Sequence, residues 1–499
     1  MGEKMKINYF ATDAEITLYW DKPREAKCGM LYEIYLNSIK VGETVKTHFT
    51  VKDLTEASEY KIDVTSSLGT FTEMITTSKR KPRLDVTKAP YFASNDGVTL
   101  NTKVLQAAID DCTQNTVLYF PKGIYMTGAL GLHSDMEIYL DEGAVIQGTE
   151  NPADFLPKIR SRFEGTELAC YSSVLNLGEL DRNGGYSCRN VFIHGKGTVA
   201  GGGEVIGRRI IEREREELRE YLKDLGEKIN ECENKDTIPG RVRSRLINMS
   251  NAQNVILSGL TLKNGACWNV HMIYSDSIVT HNCTFISEGV HNGDGWDPDS
   301  STNCTIFGCT FFTGDDSVAI KSGKNPEGNI IAKPCKHIRV FDCVSKYGHG
   351  ICMGSEMSGG IEDVYIWDCD LGNSMYGIEI KGTKKRGGYV RDVHVKDCVL
   401  PRIMFHSVGY NDDGISAGVA PVFEKCSFER VILKGIYQDM KKQLVSCDAI
   451  ELCGFDEPGH ELRDIIFNDV TLGTEEAPVT QTLSLRLCEN ITFSNIKCI

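Results

Sequence analysis

Three short segments of this chain carry acidic residues and a histidine in an order that could do chemistry. His291-Asn-Gly-Asp-Gly-Trp-Asp-Pro-Asp-Ser300 brings Asp294 and Asp297, Thr313-Gly-Asp-Asp-Ser317 brings Asp315 and Asp316, and Gly348-His-Gly350 brings His349. Carboxylates crowded on one face repel each other and retain a proton near neutral pH. Cleavage of a glycosidic bond needs that combination, one protonated acid beside one ionised base.

Whether the segments share a face depends on the elements that carry them. From about residue 190 onward a unit x-Val-x-Ile/Phe-x-Asp/Asn/Gly-apolar recurs, as in Asn254-Val-Ile-Leu-Ser-Gly-Leu260, His337-Ile-Arg-Val-Phe-Asp-Cys343, Asp363-Val-Tyr-Ile-Trp-Asp-Cys369 and Asp392-Val-His-Val-Lys-Asp-Cys398. Each unit reads as a short strand. Its last position is expected to be Cys six times, at Cys283, Cys309, Cys343, Cys369, Cys398 and Cys426, with separations of 26, 34, 26, 29 and 28 residues. Leu260, Val470 and Ile496 take the same slot elsewhere, so the thiol behaves as a small apolar side chain stacked inside a coil. A period of this length with β-branched alternation predicts an all-β fold, a right-handed parallel β-helix. Equivalent side chains on neighbouring coils then lie roughly 5 Å apart. Asp294, Asp315 and His349 can converge although they are far apart in the chain.

The composition, 499 residues and 41% hydrophobic, allows a sizeable core and more than one domain. No apolar run approaches the ~20 residues of a membrane span. The first residues lack the apolar stretch and cleavage site of a secretory signal, which predicts a cytoplasmic protein unless a leader has been removed. The 19 cysteines do not argue for export, because their number is odd and stacking explains six of them. Zinc-finger spacing is missing, so no structural metal and no cofactor are expected. A net charge of −14 opposes nucleic acid and requires a local basic patch for any polyanionic ligand. No sequence feature sets the oligomeric state.

The chain is expected to divide near residue 85. Residues 1–85 hold alternating strand patterns, and Trp20 with the segment Leu54-Thr-Glu-Ala-Ser-Glu-Tyr60 resembles the core tryptophan and tyrosine corner of a fibronectin type III domain. A structural spacer is its expected role. Residues 86–499 would form the β-helix, interrupted by a charged helical insertion at about 207–235.

The order Asn292-Gly-Asp294, Gly314-Asp-Asp316, Gly348-His-Gly350 and Ile378-Glu-Ile-Lys381 resembles the four signature blocks of the polygalacturonase family of glycoside hydrolases, family 28. Asp297-Pro-Asp-Ser-Ser301, Gly314-Asp-Asp-Ser-Val-Ala-Ile-Lys-Ser-Gly323 and Gly354-Ser-Glu-Met-Ser-Gly-Gly360 look like its bacterial exo-acting branch. The resemblance covers residues 86 to 499. It implies an inverting hydrolase of α-1,4 galacturonosyl linkages in pectin-derived oligosaccharides, with acid and base carboxyls ~6.5 to 9.5 Å apart. By position, Asp315 would be the acid, its pKa raised by repulsion from its neighbours. Asp294 and Asp316 would hold and deprotonate the water, and His349 would orient Asp315 or share its charge. Asn292 would position the sugar and Asp294. Lys381 would pair with a galacturonate carboxylate.

One departure stands out. The family reads Arg-x-Lys where this chain has Glu379-Ile-Lys381, so an arginine fork is replaced by a negative charge. Either Lys384, Lys385 or Arg386 substitutes, or Glu379 accepts hydrogen bonds from a neutral sugar such as rhamnose. Hydrolysis of rhamnogalacturonan or another mixed-sugar pectin is therefore the alternative within the family. The extra domain and the helical insertion are candidates to block the groove of an exo-acting enzyme. Asp297 and Asp299 are expected to be turn and cap residues. His349 could instead brace a tight corner, and Lys381 could be an ordinary surface lysine. Rivals from other classes are a calcium-dependent pectate lyase, a non-catalytic carbohydrate-binding β-helix and a structural trimer.

Overall fold

Strands of the long repeat pair in parallel with their counterparts one coil away. In the computed structural model, which describes residues 5–224, 242–409, 414–475 and 483–499, the chain divides into Met1–Pro82 and Arg83–Ile499. The boundary falls three residues ahead of the expected one, because Arg83–Asp85 is already a strand pairing with Val117–Phe120 of the larger unit.

The smaller unit has two antiparallel sheets. One holds three strands, Asn8–Ala11, Ile16–Tyr19 and His48–Val51; the other holds four, Tyr32–Leu36, Ile39–Thr44, Glu59–Ser66 and Gly69–Thr76. Trp20 is buried between them, edge-on to Tyr32 at 5.1 Å. The Tyr60 hydroxyl accepts a hydrogen bond from the Thr55 backbone N–H at 2.9 Å.

The larger unit is a parallel β-helix with three long sheets of 15, 8 and 11 strands. Its interior is one continuous core of Val, Ile, Leu, Phe and Cys. The residue ahead of each cysteine of the ladder has a local cause: Asn282, Asp342, Asp368 and Asp397, with φ of 53°, 49°, 54° and 55°, and Gly308, with φ of 63°, turn the chain from one sheet to the next. Asn and Asp tolerate that left-handed conformation better than other side chains. Five of the six expected cysteines, Cys283 to Cys398, form the ladder; the Cys283 N–H reaches Cys309 Sγ at 3.4 Å. Cys426 does not belong to it. It pairs with Val393 in mid-strand, and the slot on that coil falls to Val431, which follows the left-handed Arg430. Among the described residues all cysteines are free. No helix there is long and apolar enough to cross a membrane.

The insertion begins earlier than expected, as helices Gly203–Glu217 and Arg219–Asp224. Ile206 and Ile210 bury one face. Residues 225–235 of the expected segment lie outside the described residues. A second insertion, unforeseen, is the antiparallel hairpin Ile159–Phe163 with Thr166–Cys170.

Candidate active site

The 11-stranded sheet positions the chemistry. Its strands Trp296–Asp299, Val318–Ile320, Gly350–Met353 and Gly377–Gly382 lie on four successive coils, with Trp296 paired to Val318, Val318 to Ile351 and Ile351 to Ile378. Asp294, Asp316, His349 and Tyr376 each stand two positions ahead of one of these paired residues, so they stack at one corner of the solenoid. The unequal spacing of the segments along the chain disappears at that corner.

Asp315 and His349 face outward there, with side chains 24% and 19% exposed. Asp294 and Asp316 are buried behind them. His349 Nδ1 lies 2.9 Å from Asp315 Oδ1 and 3.4 Å from Asp316 Oδ1, an ion-pair contact whose angle is off that of a hydrogen bond. The Asn292 amide donates to Asp315 Oδ2 at 3.5 Å and accepts from Arg243 at 2.6 Å. Its side chain thus braces Asp315, where the sequence reading expected it to position Asp294.

The charges distribute differently from the expectation. Burial would push the Asp315 carboxyl up, but His349, Lys381 and Lys321 hold it well below the usual carboxylate range. Burial opposes the cation on His349, yet Asp315 and Asp316 raise its pKa to about 10. The exposed pair therefore shares one proton, which rests on the imidazole. The raised carboxyls are Asp294, by burial and the charge of Asp297, and Asp297 itself, by burial to about 7. Repulsion does act, as expected, but second to burial and on Asp294 and Asp297, which share the one ammonium of Lys321.

Asp297 and Asp299 are not turn residues. Both lie on the strand Trp296–Asp299, fully buried. Lys321 Nζ stands 3.2 Å from Asp294 Oδ2, 3.3 Å from Asp297 Oδ2 and 3.5 Å from Glu356 Oε2, and 4.1 Å over the Trp268 ring. One ammonium thus serves three carboxylates. Asp299 accepts from Arg162 at 2.5 Å and lies 3.3 Å from His271 Nε2; despite burial the Arg162 charge and the His271 contact hold its pKa to about 2. Sequence reasoning assigned no role to Lys321, although it sits inside the quoted Gly314–Gly323 block. Its bridge to Asp299 on the neighbouring coil was the missing signal.

Glu379 is 2% exposed, and its carboxylate meets protein partners. Its Oε2 accepts from Lys381 Nζ at 2.9 Å, and its Oε1 lies 2.7 Å from His406 Nε2. Burial would raise its pKa, but these two neighbours hold it at about 2. Lys381 also lies 3.9 Å from Asp316 Oδ2. Arg386 cannot replace the missing arginine, since it is buried and donates to Ser355 O and Asn325 Oδ1.

The hairpin Ile159–Cys170 covers the sheet face beside this corner. Ser161 donates to Asn248 Oδ1 at 2.8 Å, Arg162 to Asp299, and Gly165 O accepts from Lys324 N at 2.9 Å. Tyr274 donates to Glu167 at 2.6 Å. The helical insertion meets the corner at its first turn, where Glu204 accepts from the His291 N–H at 2.9 Å. Asp315, Asp316 and His349 offer three ligand atoms within 4.8 Å of one another, as do Asp316, Cys352 and Glu379.

Carboxylates gathered at a partly open corner of a parallel β-helix, one of them sharing a proton with an imidazole, mark the class of enzyme that hydrolyses glycosidic bonds. The profile of Glycosyl hydrolases family 28 matches residues 148–412, and the chain belongs to that family. An exo-poly-alpha-D-galacturonosidase of Dickeya chrysanthemi is 24% identical over 541 residues, covering 97% of this chain and 89% of that protein. A probable polygalacturonase of Vitis vinifera is 32% identical over 318 residues, or 61% of this chain and 58% of that one. In fold, the chain is similar to the family 28 exopolygalacturonase of Yersinia enterocolitica, with a TM-score of 0.79 at 22% identity over 100% of this chain and 98% of that one. The exopolygalacturonase of Thermotoga maritima gives a TM-score of 0.67 at 24% identity, covering 83% and 93%.

Proposed function

We propose that this enzyme hydrolyses the α-1,4 galacturonosyl linkages of pectin-derived oligogalacturonides from a chain end, with inversion at the anomeric carbon. The carrying observation is that Asp315 and His349, 2.9 Å apart, are the outward members of the cluster, with Asp294 and Asp316 buried behind them. In this reading water attacks the anomeric carbon as its bond to the leaving oxygen breaks. That oxygen takes the proton of the Asp315–His349 pair through Asp315. The proton lost by water passes to Asp316 or to the ionised member of the Asp294–Asp297 pair. Lys381, beside Asp316, meets a carboxylate of the sugar.

Attack from a chain end is supported by the hairpin Ile159–Cys170, whose buried Arg162–Asp299 pair fastens it over the sheet. The hairpin takes the blocking role that sequence reasoning gave to the N-terminal unit and the helices. The seven strands of the N-terminal unit and the Tyr60–Thr55 bond support a fibronectin type III-like spacer.

The test is product analysis on a defined oligogalacturonide in EDTA, with Asp315→Asn beside the natural protein. Saturated galacturonate units released from the ends with inverted configuration, and lost in the variant, are expected. Unsaturated products, or early mid-chain fragments, would sink the reading.

A further inference from the structure

We infer that Arg402 supplies the carboxylate-binding fork that this chain lacks at Glu379, displaced by one coil; the inference rests on the galacturonide reading above. Position 379 is closed to substrate, because its carboxylate is buried against Lys381 and His406. Arg402 immediately precedes the strand Ile403–Ser407, whose Ile403 pairs with Ile378. It therefore belongs to the next coil of the same sheet.

Its guanidinium is held by aromatic faces. The Cζ atom lies 5.0 Å from the Tyr376 ring centroid and 4.5 Å from that of Tyr437. Nε donates to the Met375 carbonyl at 3.2 Å. Two rings and one backbone bond fix the plane of the group and leave its terminal nitrogens undirected. Among the described residues no carboxylate pairs with it, and it is only half-buried. This contrasts with Arg162, paired to Asp299, and with Arg243, which donates to Asn292 and the His291 carbonyl.

The position relative to the proton-sharing pair supplies the function. Tyr376 is in edge contact with His349, ring centroids 4.9 Å apart. Two ring contacts thus lead from the imidazole to the guanidinium along the solenoid axis. A uronic acid next to the bond held at Asp315 can lay its ring over Tyr376 and present its carboxylate to Arg402. A planar fork with stacked faces is suited to bidentate carboxylate recognition, and lysine would reproduce only the charge.

The test compares kcat/KM on an oligogalacturonide with that on its methyl ester for the natural enzyme, Arg402→Gln and Arg402→Lys. Arg402→Gln is expected to lose about tenfold or more on the free acid, the loss typical of a hydrogen bond to a charged group, and to change little on the ester. Arg402→Lys should keep part of the preference. A preference for the free acid that survives Arg402→Gln overturns the inference. Calorimetry in the Asp315→Asn background supplies a second readout, with trigalacturonate and its carboxyl-reduced trimer as probes. Loss of affinity for the acid alone supports a carboxylate site, whereas equal loss for both would reveal a structural role and overturn it. If the natural enzyme cleaves neither substrate, the hydrolase reading fails, and the binding comparison still decides Arg402.

Discussion

His349 Nδ1 stands 2.9 Å from Asp315 Oδ1, and this contact reverses the direction in which burial pushes Asp315. Asp294 and Asp297, which share the single ammonium of Lys321, are driven upward by burial instead. With the imidazole there, Asp315 is held ionised and the proton rests on His349.

His349→Gln should therefore raise the pKa of Asp315 and lower kcat/KM by about 10²- to 10⁴-fold, the range for loss of general acid–base assistance. The pH–rate profile checks it: its basic limb should move to lower pH, because the proton is then held by a carboxyl instead of by the imidazole. A profile of unchanged shape would mean that His349 only braces the corner.

Lys321 neutralises three buried carboxylates, so Lys321→Met should destabilise the fold by about 3–5 kcal/mol, the cost of breaking a buried ion pair. Urea unfolding at neutral pH measures this. The loss should shrink on acidification, as Asp294 and Asp297 take up protons. Equal losses at pH 5 and pH 8 would count against the assignment.

Asp297 titrates at about 7 in the fold against an ordinary value of 3.8. Between those values the folded state binds more protons than the unfolded state, so this group makes stability fall as pH rises from about 4 to 7. Asp297→Asn should remove that part of the slope, seen as a smaller decline in Tm across the window than in the natural protein. An identical decline would place the raised proton affinity elsewhere.

Asp315, Asp316 and His349 form a three-ligand set that suits zinc or copper. Either ion at micromolar concentration should inhibit by occupying the proton-sharing pair, and EDTA should restore full activity. Inhibition that persists in His349→Gln would show that the ion acts at another place.

Much of this was legible in the chain. The coil period, the Asp, Asn or Gly before most of the slots and the order of Asp294, Asp315, Asp316 and His349 are local features, and they were enough to predict a parallel β-helix with one acidic corner. Cys426 misled because it has the right spacing from Cys398 and the wrong register. Asp297 and Asp299 misled because Asp-Pro and Asp-Ser are turn sequences in isolation, whereas here all four residues of the strand pair with Val270–Ile273, and its two ends, Trp296 and Asp299, also pair with the next coil.

The sequence by itself determined the repeat, the family and which residues share a corner, since these depend on periodicity and on motifs a few residues long. Only the tertiary structure decided where the protons reside and which charged side chains are buried against partners from other coils. Proton affinity depends on burial and on charges a few ångströms away. Those neighbours, Lys321 for Asp297, His406 for Glu379, Tyr376 and Tyr437 for Arg402, come from other coils and loops, brought together by a register that the spacing of the chain does not state.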